Sequence, residues 1–293
     1  MAAGNSTQNA GFACRLEMRG IVRLGGADRR GFLQGLISND IESCRERRGI
    51  YAALLTPQGK FLHDLFIVEN GDKFLIDCEA ARVEDLIRRL GAYRLRAKIA
   101  IEDARAEYDV WAAWNAAEAR DALSTTLPVY ADPRMPELGW RAIARKGEKP
   151  GGYVAGDYDG HRLSLGIADG SRDLILEKST LAEGNFDLLN GISWTKGCYV
   201  GQELTARMHY RALVKKRLFP VKIESGIPEF GTIMKFEGED IGDMRSSAGD
   251  AGLALLNIDK AEAAMCDGIA LACGTAKLRP WKPEWMKMGL AKS

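Results

Sequence analysis

The feature that most constrains this chain is a pair of apolar runs, Ile50–Leu55 and Phe61–Val68, joined by Thr56-Pro57-Gln58-Gly59. Runs of this kind, bounded by Pro and Gly, read as strands. Pro second and Gly fourth suit a type I turn, so the two runs form a hairpin. Asn70-Gly71 is a further hairpin turn, leading into Phe74–Cys78, and an antiparallel sheet becomes the organising element. Upstream, Leu16, Met18, Val22 and Leu24 alternate as a half-buried strand does. Asp28 is placed to cap a helix carrying Phe32, Leu33, Leu36 and Ile37. Val83, Leu86, Ile87 and Leu90 mark an amphipathic helix ending at Gly91, and a strand is expected from Tyr93 to Ile101. Strands and helices mix without regular alternation, which is the pattern of an α+β layer.

A second α+β segment runs from Tyr108 to Arg217. Its expected strands are Tyr108–Trp114, Gly139–Ala144 and Arg162–Gly166, with a helix at Glu118–Leu123 and a fixed loop at Asp132-Pro133-Arg134-Met135-Pro136. From Leu218 onward the pattern changes to short strands with Gly-rich turns: Leu218–Ile223, Thr232–Phe236, Gly252–Asn257 and Ile269–Cys273. That spacing signals a small barrel or sandwich. The expected organisation is a disordered tail over residues 1–13, α+β domains over 14–106 and 107–217, and a β domain over 218–293. A chain of 293 residues is long enough for such a division.

A net charge of +1 gives no global argument for nucleic acid or membrane. None of Cys14, Cys44, Cys78, Cys198, Cys266 and Cys273 forms a C-x-x-C pair, and the histidines are His63, His161 and His209. Neither a bound metal nor a disulfide framework is expected, and a reducing compartment fits best. No apolar run approaches the ~18 residues that span a bilayer. The first dozen residues lack a signal-peptide core or an Arg-rich transit pattern. The expected location is the cytoplasm, or the mitochondrial matrix in a eukaryote.

Chemistry concentrates in Trp194-Thr195-Lys196-Gly197-Cys198-Tyr199-Val200-Gly201-Gln202-Glu203, continuing to Arg207. Two glycines flank a cysteine and open a helix holding Leu204 and Met208. A helix N-terminus and nearby Lys196 would both raise the thiolate fraction; a buried structural cysteine in a glycine turn is the other reading. On the strand Phe61–Val68, Asp64 shares a face with Leu62, Phe66 and Val68, where a carboxylate needs a ligand or a donor. It either meets a bound ligand or pairs with an arginine. His63 reads as a hydrogen-bonded core or rim histidine. Two basic clusters stand out: Arg94, Arg96 and Lys98 alternating on a strand, and Arg207, His209, Arg211, Lys215, Lys216 and Arg217. Each is a solvated face, a seat for an anionic ligand group, or a meeting point for RNA phosphates. Without interleaved aromatics, direct nucleic-acid binding is not expected. Trp281, Trp285, Pro280 and Pro283 are expected to pack back onto their own domain.

Lys196-Gly197-Cys198-Tyr199-Val200-Gly201-Gln202-Glu203, followed by Ala206-Arg207, resembles the signature of the YgfZ family, which includes mitochondrial iron–sulfur assembly relatives. The resemblance extends to Phe32-Leu33-Gln34-Gly35, Ser38-Asn39-Asp40, Pro57-Gln58-Gly59-Lys60, Tyr93-Arg94-Leu95-Arg96, Asp132-Pro133-Arg134, Glu183 with Asn185 and Asp187, and Gly242-Asp243-Met244-Arg245-Ser246-Ser247. It implies a fold similar to the glycine-cleavage T-protein: two ferredoxin-like α+β domains and a C-terminal small β-barrel around a central channel. It also implies tetrahydrofolate or a one-carbon derivative as cofactor. Iron–sulfur assembly proteins or client enzymes, including tRNA-thiolating ones, would be partners. Cys198, with Lys196 and Asp64, is then the expected reactive centre. Asp64, Glu177, Glu183, Tyr199, Gln202, Glu203, Arg207, Arg94 and Asn39 are the expected folate contacts. Glu177 resembles the acidic residue of the T-protein's Arg-x-Glu pattern, although Ile175 stands where the arginine would be. Aminomethyltransferases follow the Gln58 turn with paired aspartates, whereas this chain has His63-Asp64. The resemblance therefore implies an accessory protein, with folate-dependent aminomethyl transfer as the alternative.

Overall fold

The computed structural model describes residues 11–115, 128–149, 151, 153–211 and 213–290. The chain gathers into two compact units, each built from separate stretches. The first takes residues 1–52, 65–158 and 195–197; the second takes 53–64, 159–194 and 198–293.

Two antiparallel-dominated sheets have most of their strand residues in the first unit, residues 53–55 and 61–64 being counted with the second. One has the order β3-β4-β5-β2-β6, from β2 (Arg19–Gly25), β3 (Ile50–Leu55), β4 (Phe61–Asn70), β5 (Lys73–Glu79) and β6 (Ala100–Asp103). Its register sets Val22 opposite Ile76 and Val68 opposite Leu75. The other has the order β10-β1-β7-β9-β8, from β1 (Phe12–Arg15), β7 (Tyr108–Trp114), β8 (Val129–Ala131), β9 (Trp140–Arg145) and β10 (Val154–Ala155). Only the β1–β10 pair among these runs parallel. Helices α1 (Arg29–Gln34) and α2 (Val83–Tyr93) complete the unit, α2 burying Val83, Leu86 and Leu90.

Between these elements lies a buried ionic cage. The guanidinium groups of Arg19, Arg134 and Arg141 lie 5.3, 4.8 and 3.8 Å from the Phe66 ring centre. Cations favour the negative face of an aromatic ring. Asp77 accepts from Arg19 Nε at 2.6 Å and also from Arg141. Asp132 takes Arg134 in a two-point fork at 2.9 and 2.8 Å. Burial opposes the charge on Asp132, yet Arg134 and Arg141 hold its carboxyl below the usual range.

The second unit is dominated by a closed barrel, β11-β14-β13-β12-β15-β16. Its strands are β11 (Lys216–Ser225), β12 (Ile233–Phe236), β13 (Glu239–Ala248), β14 (Ala251–Asn257), β15 (Leu271–Cys273) and β16 (Ala276–Pro280). Phe219, Met234, Met244, Leu256, Leu271 and Leu278 fill the interior. The helices following the first unit's are α3 (Tyr158–Ser164), α4 (Gln202–Tyr210), α5 (Ile258–Asp267) and α6 (Glu284–Leu290). Asn257 caps α5 by accepting from Lys260 N, and Gly268 ends it at φ +66°. Met286 is buried in the barrel core with Trp285 packed against it, so the tail packs back as expected, and Trp285 also donates to Leu165 O at 3.0 Å.

Several local expectations are corrected. Arg162–Gly166 is not a strand; Arg162 lies on α3, buried, and pairs with Asp159 and Asp173 at 2.7 and 2.9 Å. Its charge requires those acceptors, and the helix brings them within reach. Of the strand expected over Tyr93–Ile101, only Ala100 and Ile101 belong to one, at the start of β6. The helix α2 runs through Gly91 to Tyr93, and Leu95 turns at φ +43° with its side chain exposed. Arg94, Arg96 and Lys98 therefore share no strand face. Asp28 does not cap α1; its carboxylate accepts from Lys98 N at 2.7 Å. Pairing starts at Phe12, inside the stretch expected as tail, and the boundary drawn at 217/218 falls within β11. The helix expected at Glu118–Leu123 lies outside the described residues. Among the described residues, no helix is long and apolar enough to cross a membrane.

Removing one partner of a buried ion pair strands a charge and costs about 3–5 kcal/mol. Asp77→Asn should therefore lower the urea midpoint steeply, whereas Lys287→Gln, in an exposed pair with Glu284, should cost under about 1 kcal/mol. Asp132, depressed in the folded state, should contribute stability above about pH 4 that is lost as acid protonates it.

Candidate functional site

Two motifs distant in sequence meet through their glycines in the second unit. The turn closes with Gly59 N donating to Thr56 O at 2.8 Å. Gly59 has φ +79°, and a Cβ there would lie 2.7 Å from both Gly201 O and Leu204 Cβ. Gly201, at φ +82°, is the N-cap of α4, and its Cβ would lie 2.4 Å from Thr56 O. Only glycine satisfies both the backbone angle and the spacing. Gly197, in contrast, faces open space.

This contact anchors the loop before α4. Tyr199 is buried and its phenol is pushed up to about 12 by desolvation, with Thr205 as hydrogen-bond partner. Gln202 Oε1 accepts from Tyr199 N at 3.2 Å, and Gln202 N donates to Tyr199 O at 3.2 Å. Cys198, just before the buried tyrosine, is exposed. It is not a structural core cysteine.

Cys198 precedes Gln202 by four residues, outside the first turn where the helix field acts, and Glu203 occupies that turn. Lys196 belongs to the first unit, where its ammonium donates to the carbonyls of Gln34, Ile37 and Asn39 at 2.7, 2.8 and 2.9 Å. Burial pulls its pKa down to about 8, with Asp40 opposing. It acts as a clamp on the loop after α1.

Residues 215–288 match the family described as "CAF17, C-terminal beta-barrel domain", which covers the closed barrel. A human protein, "Iron-sulfur cluster assembly factor IBA57, mitochondrial", is 34% identical, covering 88% of this chain and 81% of its own length. The chain belongs to the IBA57 family. The mouse member is 32% identical over 87% of this chain and 80% of its own length. A Pyricularia oryzae homologue is 30% identical, with 96% and 86% covered. YgfZ, to which the signature was likened, is a related family; the relatives found are IBA57 proteins. Among solved structures, the glycine cleavage system aminomethyltransferase T from Bartonella henselae superposes with a TM-score of 0.73 at 12% identity, covering 96% of this chain and 87% of that one. The IBA57-family chain thus has a T-protein-like fold with a closed six-stranded C-terminal barrel.

The remaining expected residues fall into distinct settings. In the first unit, Asn39 spends its amide on Tyr51 O at 2.7 Å, and Arg94 lies exposed after α2. In the second, Asp64 is 1% exposed on β4, beside equally buried His63. Glu177 is exposed at φ +59°, with its backbone N bonded to Phe61 O at 2.9 Å. Glu183 is bound into a capping box: Oε2 accepts from Thr180 N at 2.7 Å and Thr180 Oγ1 at 3.1 Å. Thr180-x-x-Glu183 was legible as that box in the sequence. Arg207 pairs with exposed Glu203 at 2.6 Å. Sequence reasoning missed an aromatic stack, with Trp194 lying 3.9 Å from His209 at 16° and Tyr210 at its edge. Trp194 and His209 are too far apart in sequence for periodicity to reveal their contact.

Left-handed strain at a non-glycine residue costs about 1–3 kcal/mol. Gly201→Ala adds a clash with Thr56 O and should lower the melting temperature clearly, while Gly197→Ala should melt near the wild-type temperature in the same scan.

Proposed function

We propose that this protein is an iron–sulfur cluster assembly factor in which Cys198 contributes one thiolate to a cluster shared transiently with a partner. The observation that carries this reading is the exposed thiol on a loop fixed by the Gly59–Gly201 contact, in a member of the IBA57 family. Among the described residues, no three His, Cys, Asp or Glu side chains gather as a metal site. A cluster bound through cysteine thiolates commonly takes four of them, so an assembly or client protein would complete the set. The other free cysteines fit a reducing compartment, the cytoplasm or the mitochondrial matrix.

Tetrahydrofolate is part of the proposal. The donor set contains a carboxylate of suitable chemistry in Asp64, buried on β4. Asp64 would accept from the aminopyrimidine edge of a pterin, and exposed Glu177 is tied through its backbone N–H to Phe61 on the same strand as Asp64. Glu183, engaged by Thr180, is the weaker candidate. The bound folate would be tetrahydrofolate itself or a one-carbon derivative. The aminomethyltransferase likeness at 12% identity concerns the fold, and His63 beside Asp64 lends no support to transfer chemistry.

In cells lacking the gene, Cys198→Ala should fail to restore the activity of an iron–sulfur enzyme, whereas Cys266→Ala, at another exposed cysteine, should restore it. Full rescue by Cys198→Ala would remove the thiolate role. Calorimetric titration with tetrahydrofolate tests the other half separately: wild type and Cys198→Ala should bind alike, and Asp64→Asn should bind at least tenfold more weakly.

A further inference from the structure

Arg245, on β13 of the barrel, differs from the other buried arginines of the second unit. Arg162 reaches Asp159, Asp173 and Ile167 O. Arg217 reaches Asp187 twice, together with Asn185 and Ala182 O. Each leaves one nitrogen unbonded. Arg245 forms an ion pair with Asp243, Nη2 to Oδ2 at 2.8 Å, while both Nε and Nη1 are buried with no hydrogen-bond partner among the described residues. The residue is 3% exposed. Two unmet donors on one buried guanidinium carry a large desolvation cost, and native structures meet such donors with protein, water or a ligand.

What covers this guanidinium is not a core side chain. The Phe230 ring lies 5.4 Å from it, yet Phe230 is 59% exposed. It sits on the β11–β12 connection with Ile227, which is 87% exposed, and next to Ile233, also exposed. A large aromatic held at the surface over a buried cation is placed as a roof that can lift without disturbing the barrel interior. Asp243 and Lys216 line the neighbourhood, and Glu183 acts on Asp243 from the same unit.

We propose that Arg245 anchors a small carboxylate-binding site, roofed by Phe230 and entered when that ring swings outward. Nη2 forms a two-donor fork with either Nε or Nη1, and a carboxylate offers two oxygens to such a fork. Asp243 occupies part of Nη2, so the ligand docks on an edge that Asp243 leaves open. The carboxylate is either a free small acid or the acidic end of a larger molecule. The site uses neither Cys198 nor Asp64.

Phe230→Trp places a fluorophore on the roof of the full-length protein. Its emission should change saturably with sodium acetate against sodium chloride at matched ionic strength, which removes general screening. Arg245→Met in that background should abolish the response. Arg245→Lys keeps the charge but loses the fork; it should weaken the response at least tenfold and keeps the test available if the methionine variant does not fold. Tetrahydrofolate, whose glutamate carries carboxylates, is the second arm. Saturation at far lower concentration than acetate assigns the carboxylate to a larger molecule, and similar concentrations assign it to a free acid. No response to either probe, or an equal response without Arg245, overturns the proposal and leaves trapped water as the partner of Nε and Nη1.

Discussion

The loop that presents Cys198 depends on the approach of two glycine backbones. Gly59 ends the hairpin turn and Gly201 starts α4, and each stands where a Cβ on the other would collide. Because both hold positive φ, the turn and the helix entry are set together. The loop then has little freedom: Tyr199 goes into the unit, Gln202 bonds back to it, and the thiol between Gly197 and Tyr199 faces outward. Exposure of the cysteine follows from backbone packing and not from any property of the thiol.

Charge burial is the second organising theme, solved differently in the two units. In the first, three arginines and two aspartates surround Phe66, so ion pairing and ring contact jointly offset desolvation. In the second, Arg162 and Arg217 are surrounded by carboxylates and backbone carbonyls, whereas Arg245 is met by one carboxylate and an exposed aromatic. The same residue type thus serves as a structural tie in two places and as an open donor in a third.

Much of the fold was legible. The β3–β4 hairpin, the Asn70-Gly71 turn and the change of pattern near Leu218 are local signals, because turn chemistry and side-chain alternation act over a few residues. The failures are equally instructive. Arg162 reads as part of a strand because Leu163 and Leu165 alternate, yet its need for Asp159 and Asp173 is met on a helix. Arg94, Arg96 and Lys98 alternate in sequence, but a left-handed turn at Leu95 breaks the alternation. Lys196 resembled a partner for the thiol, and three carbonyls claim it instead.

The sequence by itself determined the α+β class, the β-rich C-terminal part and the segment around Cys198. Each rests on local periodicity, on glycine and proline at turns, or on a contiguous motif. Only the tertiary structure decided that the barrel closes, that Gly201 serves packing while Gly197 does not, and that the carbonyls of Gln34, Ile37 and Asn39 hold Lys196. It also decided that Arg245 lies under Phe230. These outcomes turn on distances between residues far apart in the chain, and on which buried donor finds which acceptor. A linear pattern of residue types carries no such distances.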